Sequence, residues 1–237
     1  MGDARYTPEE PPRIGLIGGS FNPPHLGHLL PALEVKEALG LDQLHFVPSG
    51  NHPFKGEDVL APVEHRLAMT RTLVSKRSGC DVWDIEARSE TTSYTIDTLE
   101  RFAERYPGAQ RVFCFGSDIL QELHLWKRWQ DLPSLAHLCI MVRPGVPQGL
   151  LETTKAGCFL EKLRVHSIED LFSYHPSEDV DSSHAVWVQN VTPVDMSSTT
   201  LREWVQRAAP EGVTEAVPAG LPREIADYME RHALYRT

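Results

Sequence analysis

The 237-residue chain is short of cysteine, of basic charge and of long apolar runs. Its four cysteines, Cys80, Cys114, Cys139 and Cys158, form no CxxC pair. That argues against a disulfide scaffold and against a cysteine-based zinc site. Cys114 and Cys139 sit in apolar runs and read as small buried hydrophobes. Lysine and arginine total 23 against 33 aspartates and glutamates, a net charge of -10. Such a balance disfavours non-specific nucleic-acid binding, which relies on neutralising phosphates. It leaves room for a local basic pocket. No apolar run approaches the length that spans a bilayer. The opening residues are polar and proline-rich, without the basic start and apolar core of a secretory signal. The expectation is a cytoplasmic protein with neither a membrane nor a nucleic acid as partner.

What is present is ordinary for a globular chain: 41% apolar and 24% charged residues. The length suits one well-buried core with a small appendage. Residues 1–12 read as a flexible leader, 13–195 as an α/β core and 196–237 as a C-terminal helical part packed on it. Short apolar runs at 13–17, 44–47, 80–85, 111–115, 136–142 and 185–191 read as strands. Helical spacing appears at 26–39, 63–75, 95–106, 151–163, 197–206 and 222–234. Pro31 is placed near the front of the first helix, and Gly40 stops it. Asp118 is placed as the cap of a short helix after Gly116. Residues 208–220 read as a linker. Strands alternating with helices predict a Rossmann-like, doubly wound, mainly parallel sheet with flanking helices. Sites in such folds lie beyond the carboxyl ends of the strands.

Directly after the first strand comes Gly18-Gly19-Ser20-Phe21-Asn22-Pro23-Pro24-His25-Leu26-Gly27-His28. Paired glycines bring backbone close to a ligand and expose amides. The helix start that follows favours an anion. His25 and His28, three residues apart, can donate hydrogen bonds to phosphate oxygens from one face. The spaced glycines of a dinucleotide fingerprint are absent, as is the GK[ST] of a Walker loop. A zinc reading lacks a third ligand. A second constellation, Met196-Ser197-Ser198-Thr199-Thr200-Leu201-Arg202, is a hydroxyl-rich helix start with an arginine one turn in. Ser198 or Thr199 can cap the helix or bind an anion. Arg202 offers a fork of donors to phosphate.

The first segment resembles the GGxFxPxHxGH signature of the nucleotidyltransferases that join ATP to small phosphate compounds, and the second their ISSTxxR motif. Ser93-Tyr94-Thr95 with Thr98-Leu99, and Gly116-Ser117-Asp118 with Trp126, resemble segments of the bacterial nicotinate-nucleotide adenylyltransferases. Together the matches run over about residues 13–235. The resemblance implies catalytic roles for His25, His28 and Arg202. It implies ATP contacts from these three and from Gly18, Gly19, Ser20, Phe21, Lys55, Gly116, Asp118, Ser198 and Thr199. It implies mononucleotide contacts from Asn22, Tyr94, Thr95, Trp126 and Arg143. Glu64, His65, Arg66 and Met69 match a further family pattern, to which a structural role is given. Where the family usually has Pro-Pro-His-Lys or Pro-Pro-His-Arg, this chain has His52-Pro53-Phe54-Lys55, which puts substrate positioning in question more than reaction class.

The implied reaction is adenylyl transfer from ATP to nicotinate mononucleotide. Mg²⁺ arrives with ATP, bridging phosphate oxygens, and needs no protein cage. The implied partners are ATP and a pyridine mononucleotide; a homo-oligomer is compatible with the sequence. Rival readings are a nicotinamide mononucleotide or pantetheine phosphate acceptor, a cytidylyl donor, or a nucleotide-binding regulator without activity.

Overall fold

A computed structural model describes residues 11–50, 60–89, 91–142, 149–173, 186–208 and 217–236. Its strands are β1 (Arg13–Gly19), β2 (Gln43–Pro48), β3 (Cys80–Val82), β4 (Gln110–Gly116), β5 (His137–Val142) and β6 (Val186–Asn190). Its α-helices are α1 (Leu26–Ala38), α2 (Val63–Val74), α3 (Thr95–Arg105), α4 (Leu132–Leu135), α5 (Leu150–Thr153), α6 (Lys155–Leu160), α7 (Ile168–Ser173), α8 (Ser198–Ala208) and α9 (Arg223–Arg231). The six strands form one sheet in the order β3-β2-β1-β4-β5-β6. β1 pairs with β4, β4 with β5 and β5 with β6, all in parallel. This is the doubly wound arrangement that the alternation of apolar runs predicts, ending in a small helical region.

The chain falls into two compact units. The first takes the described residues within Met1–Ile17, Val35–Leu44 and Tyr94–Val191. Here β4 and β5 are almost wholly buried, as expected for parallel strands covered on both faces. Cys114 and Cys139 lie opposite each other in the β4–β5 register and are buried, as their apolar runs implied. A hydrogen bond to Cys114 together with burial pushes the Cys139 thiol well above its ordinary range. A Cβ at Gly15 in β1 would lie 2.7 Å from the Leu41 and Leu44 methyls, so both leucine side chains would have to shift to admit one. The second unit takes the described residues within Gly18–Glu34, His45–Ser93 and Thr192–Thr237. Phe21, Leu29, Phe46, Met69, Leu201, Val205, Ile225 and Met229 are buried within it.

Helix α1 ends as its glycine foretells. Gly40 adopts φ 61°, its N–H bonds to Glu37 O, and Leu41 N–H reaches back to Lys36 O. That is the two-bond Schellman stop. Pro31, however, lies in the second turn and not at the front, and α1 continues through it.

Three other expectations are corrected. The run at 151–163 is not one helix. Thr154 interrupts it by capping α6, accepting from Gly157 N at 3.0 Å, and residues 161–163 close in a 3-10 turn. The strand expected at 80–85 stops at Val82, although Trp83 N–H still bonds to Phe46 O at 2.9 Å. Asp84 beyond it turns away to pair with Arg71 and Arg88. After Gly116 the chain forms 3-10 turns over Ser117–Gln121 and Leu123–Leu125, not a capped α-helix. Asp118 lies inside the first of these turns, where it cannot act as the cap. Among the described residues, no helix is long and apolar enough to cross a membrane.

Candidate functional site

In the second unit the loop after β1 runs into α1 through a reciprocal cap made by two histidines. His25 immediately precedes the helix, and its Nδ1 accepts from Gly27 N at 3.0 Å. His28, at the third helical position, turns its Nδ1 back to accept from His25 N at 3.2 Å. This is the logic of a capping box, with imidazoles in place of a hydroxyl and a carboxylate. A backbone N–H can only donate, so both Nδ1 atoms are acceptors. Each neutral ring then carries its proton on Nε2 and is a donor there. The two ring centroids are 3.9 Å apart, and Phe21 packs edge-on against His28 at 5.1 Å.

The cap alters the sequence expectation that helix-start amides meet an anion. Leu26 N bonds to Gly220 O, Gly27 N to the His25 ring, and His28 N and Leu29 N to His25 O. The rings, with the helix dipole behind them, are therefore the donor groups of this helix start. Gly27 permits this, because a Cβ there would lie 2.9 Å from His25 Cε1 and Nδ1.

The loop itself is held from several sides. Phe21 adopts φ 46° and the Asn22–Pro23 bond is cis. Buried Arg66 of α2 donates through Nη1 to Ser20 O at 2.9 Å and Ser49 O at 2.7 Å, and through Nε to Ala61 O at 2.9 Å. It thus ties the turns after β1 and β2 to the entry of α2, a structural role. Burial lowers its pKa from the usual arginine range, opposed first by Tyr235 and then by Glu64 and Glu86. Asn22 Oδ1 accepts from Ala61 N at 3.0 Å and from the Tyr235 hydroxyl at 2.9 Å.

Helix α8 brings the second constellation to the same loop. Arg202 donates through Nη1 to Asn22 O at 2.8 Å and through Nη2 to Thr199 Oγ1 at 3.2 Å. Ser198 Oγ donates to Pro23 O at 2.9 Å. Neither Ser198 nor Thr199 caps α8. Ser197 does so, its Oγ accepting from Thr200 N at 3.1 Å, because the helix begins at Ser198, earlier than a cap at either residue requires. So Gly18, Gly19, Ser20, Phe21, Asn22, His25, His28, Ser198, Thr199 and Arg202 belong to one unit.

Tyr94, Thr95, Gly116, Asp118 and Trp126 belong to the first unit, and the other expected site residues fall outside the described residues. Tyr94 precedes α3 in extended backbone, and its carbonyl accepts from Thr98 N at 3.1 Å. Lys127 Nζ lies 4.8 Å from the Tyr94 ring centroid and pairs with Asp97. Thr95 opens α3, and Gly116 and Asp118 lie at the turn after β4. Trp126 is half-buried, with its backbone N–H bonded to Leu123 O at 3.0 Å. Lys55 and Arg143, together with His52 and Phe54, lie outside the described residues. Sequence reading missed Ser197 and the tie from Tyr235 to Asn22. The hydroxyl run before α8 signals the first; no local pattern signals the second.

Residues 16–204 match the family described as cytidylyltransferase-like. The chain is 34% identical over 224 residues to a Shewanella baltica (strain OS185) protein named "Probable nicotinate-nucleotide adenylyltransferase", covering 94% of this chain and 99% of the relative. A protein of the same name from Aeromonas salmonicida (strain A449) is 34% identical over 228 residues, covering 94% and 97%. The structure of Plasmodium falciparum nicotinic acid mononucleotide adenylyltransferase complexed with NaAD shares the fold, with a TM-score of 0.69 at 17% identity, covering 94% of this chain and 97% of that one. The chain belongs to the cytidylyltransferase-like family and, within it, to the nicotinate-nucleotide adenylyltransferase family.

Proposed function

We propose that the chain transfers the adenylyl group of ATP to the phosphate of nicotinate mononucleotide, giving deamido-NAD and pyrophosphate. The observation that carries this reading is the reciprocal histidine cap, which holds two neutral imidazoles at a helix start with Nε2–H donors. Donors fixed in advance suit a step in which negative charge builds on phosphate oxygens. An acceptor phosphate oxygen attacks the α-phosphorus of ATP, the bond to the β-phosphate bridging oxygen breaks, and pyrophosphate leaves. The acceptor is already an anion, so no covalent intermediate and no general base is required.

In this reading His25 and His28 stabilise the transferring phosphoryl group, and Arg202 binds the leaving phosphates. Ser198 and Thr199 line the same anion site, with Gly18, Gly19, Ser20 and Phe21 on its loop. Mg²⁺ would come with ATP and would supply charge compensation on the phosphate oxygens, which the neutral rings and the arginine also suit.

The test is pyrophosphate release by the purified full chain with Mg-ATP and a panel of nicotinate mononucleotide, nicotinamide mononucleotide and pantetheine phosphate, with CTP as a control donor. The acid is expected to exceed the amide by about 5- to 150-fold in kcat/KM, the range set by one buried donor left unpaired. A preference for the amide would overturn the acceptor assignment and leave adenylyl transfer standing. Release with none of the acceptors would overturn both.

A further inference from the structure

The chain returns to the loop after β1 at a place 213 residues away in sequence, through Tyr235. Helix α9 stops by a second Schellman motif. Leu234 N–H bonds to Met229 O at 3.0 Å and Ala233 N–H to Glu230 O at 3.1 Å. Leu234 and Met229 are both buried, which supplies the apolar contact of that motif. The residue at its left-handed position is Ala233, φ 50°, not glycine, and Tyr235 follows at φ 64°. Two side-chain-bearing residues in a region they rarely occupy indicate a turn over-determined by its surroundings. An ion pair between Arg236 and Glu230 closes it.

This turn delivers the phenol to buried Asn22. Burial raises the Tyr235 pKa far above the ordinary tyrosine range, against the opposing pull of Arg66 and Arg202, so the hydroxyl keeps its proton and donates. Asn22 Oδ1 already accepts the Ala61 N–H. The second donor, from the phenol, completes the oxygen's two acceptor sites and sets the amide plane. Asn22 O in turn receives Arg202, and Pro23 O receives Ser198. Two residues further on stands His25.

We infer that Tyr235 is a positioning residue for the proposed phosphate site, its hydroxyl holding Asn22 and thereby the loop that presents His25 and receives Arg202. The inference rests on the adenylyl-transfer reading. Its substance is that the C-terminal turn tunes transition-state contacts and does more than pack.

The experiment compares Tyr235→Phe, Asn22→Ala and the double variant in the full chain, by pyrophosphate release at a temperature well below the lowest melting midpoint. Tyr235→Phe is expected to lower kcat at least fivefold while KM for Mg-ATP stays within twofold. The double variant is expected to be no slower than Asn22→Ala alone, because both changes remove one interaction. Ala233→Gly, which keeps the turn and the phenol, is expected to retain wild-type kcat and separates loss of the hydroxyl from loosening of the chain end. A Tyr235→Phe variant that melts earlier but turns over at the wild-type rate would overturn the inference. So would losses that multiply independently in the double variant. A wild-type chain that releases no pyrophosphate with any acceptor overturns the functional reading first, and the inference with it.

Discussion

Gly27→Ala pits helix propensity against site geometry. Gly27 is the second residue of α1, where alanine should favour the helix by up to about 1 kcal/mol. The added Cβ would lie 2.9 Å from both Cε1 and Nδ1 of His25 and 3.3 Å from Met196 O. Comfortable carbon contacts begin near 3.5 Å, so the His25 ring must move by about 0.6 Å. The bond from Gly27 N to His25 Nδ1, now 3.0 Å, then passes beyond useful length. Loss of that cap costs about 1 kcal/mol, which offsets the propensity gain and leaves stability close to wild type. Misplacing a reacting group by a distance of that order costs up to about 100-fold in rate. The expected outcome is a kcat about 10- to 100-fold lower, roughly 1.4–2.7 kcal/mol of barrier, with a nearly unchanged melting temperature. The assay is pyrophosphate release beside thermal denaturation followed by circular dichroism. A kcat within about twofold of wild type would refute the claim that the ring's position over Gly27 matters to the reaction.

Replacing either His25 or His28 by alanine should cut turnover by about 100-fold or more, near 3 kcal/mol, with the fold retained; two active variants would remove the phosphate role. Arg202→Lys should lower kcat/KM for ATP by roughly tenfold, since an ammonium cannot reproduce the fork that here spans Asn22 O and Thr199 Oγ1; equal values would show that charge alone suffices. Arg66→Met should destabilise the chain by about 3 kcal/mol, because three backbone carbonyls lose their donor. Urea unfolding reads this directly, and a loss below about 1 kcal/mol would mean that the three turns do not depend on the guanidinium.

Much of this protein follows from local pattern. Each parallel strand buried on both faces needs an unbroken apolar run, and each intervening helix a 3.6-residue stripe, so the order of elements is legible without coordinates. The same holds for the Gly40 stop, a choice made within a single turn. The histidine pair was visible as a pair, because a helix start places residues three apart together. Even the structural arginine left a trace: Arg66 shares its stripe with buried Met69 and Leu73, where a charge needs an unusual reason.

Local pattern failed where two solutions lie close in energy, or where the partner is distant. Thr154 splits a periodic run because a hydroxyl at a cap competes with helix continuation, and periodicity does not weigh the two. Ser197 prevailed over Ser198 and Thr199 because α8 already begins at Ser198, which puts both of those hydroxyls inside the helix, where they meet Pro23 O and Arg202. That the histidines bond through Nδ1 depends on ring orientations that spacing leaves free. Sequence alone therefore determined which residues stand ready beside the first strand and in what order the sheet's elements come. Only the tertiary structure decided that Arg66, Arg202 and Tyr235, contributed by α2, α8 and the turn after α9, converge on the loop at Ser20–Pro23. Such contacts close over long stretches of chain, and no window of neighbouring residues encodes them.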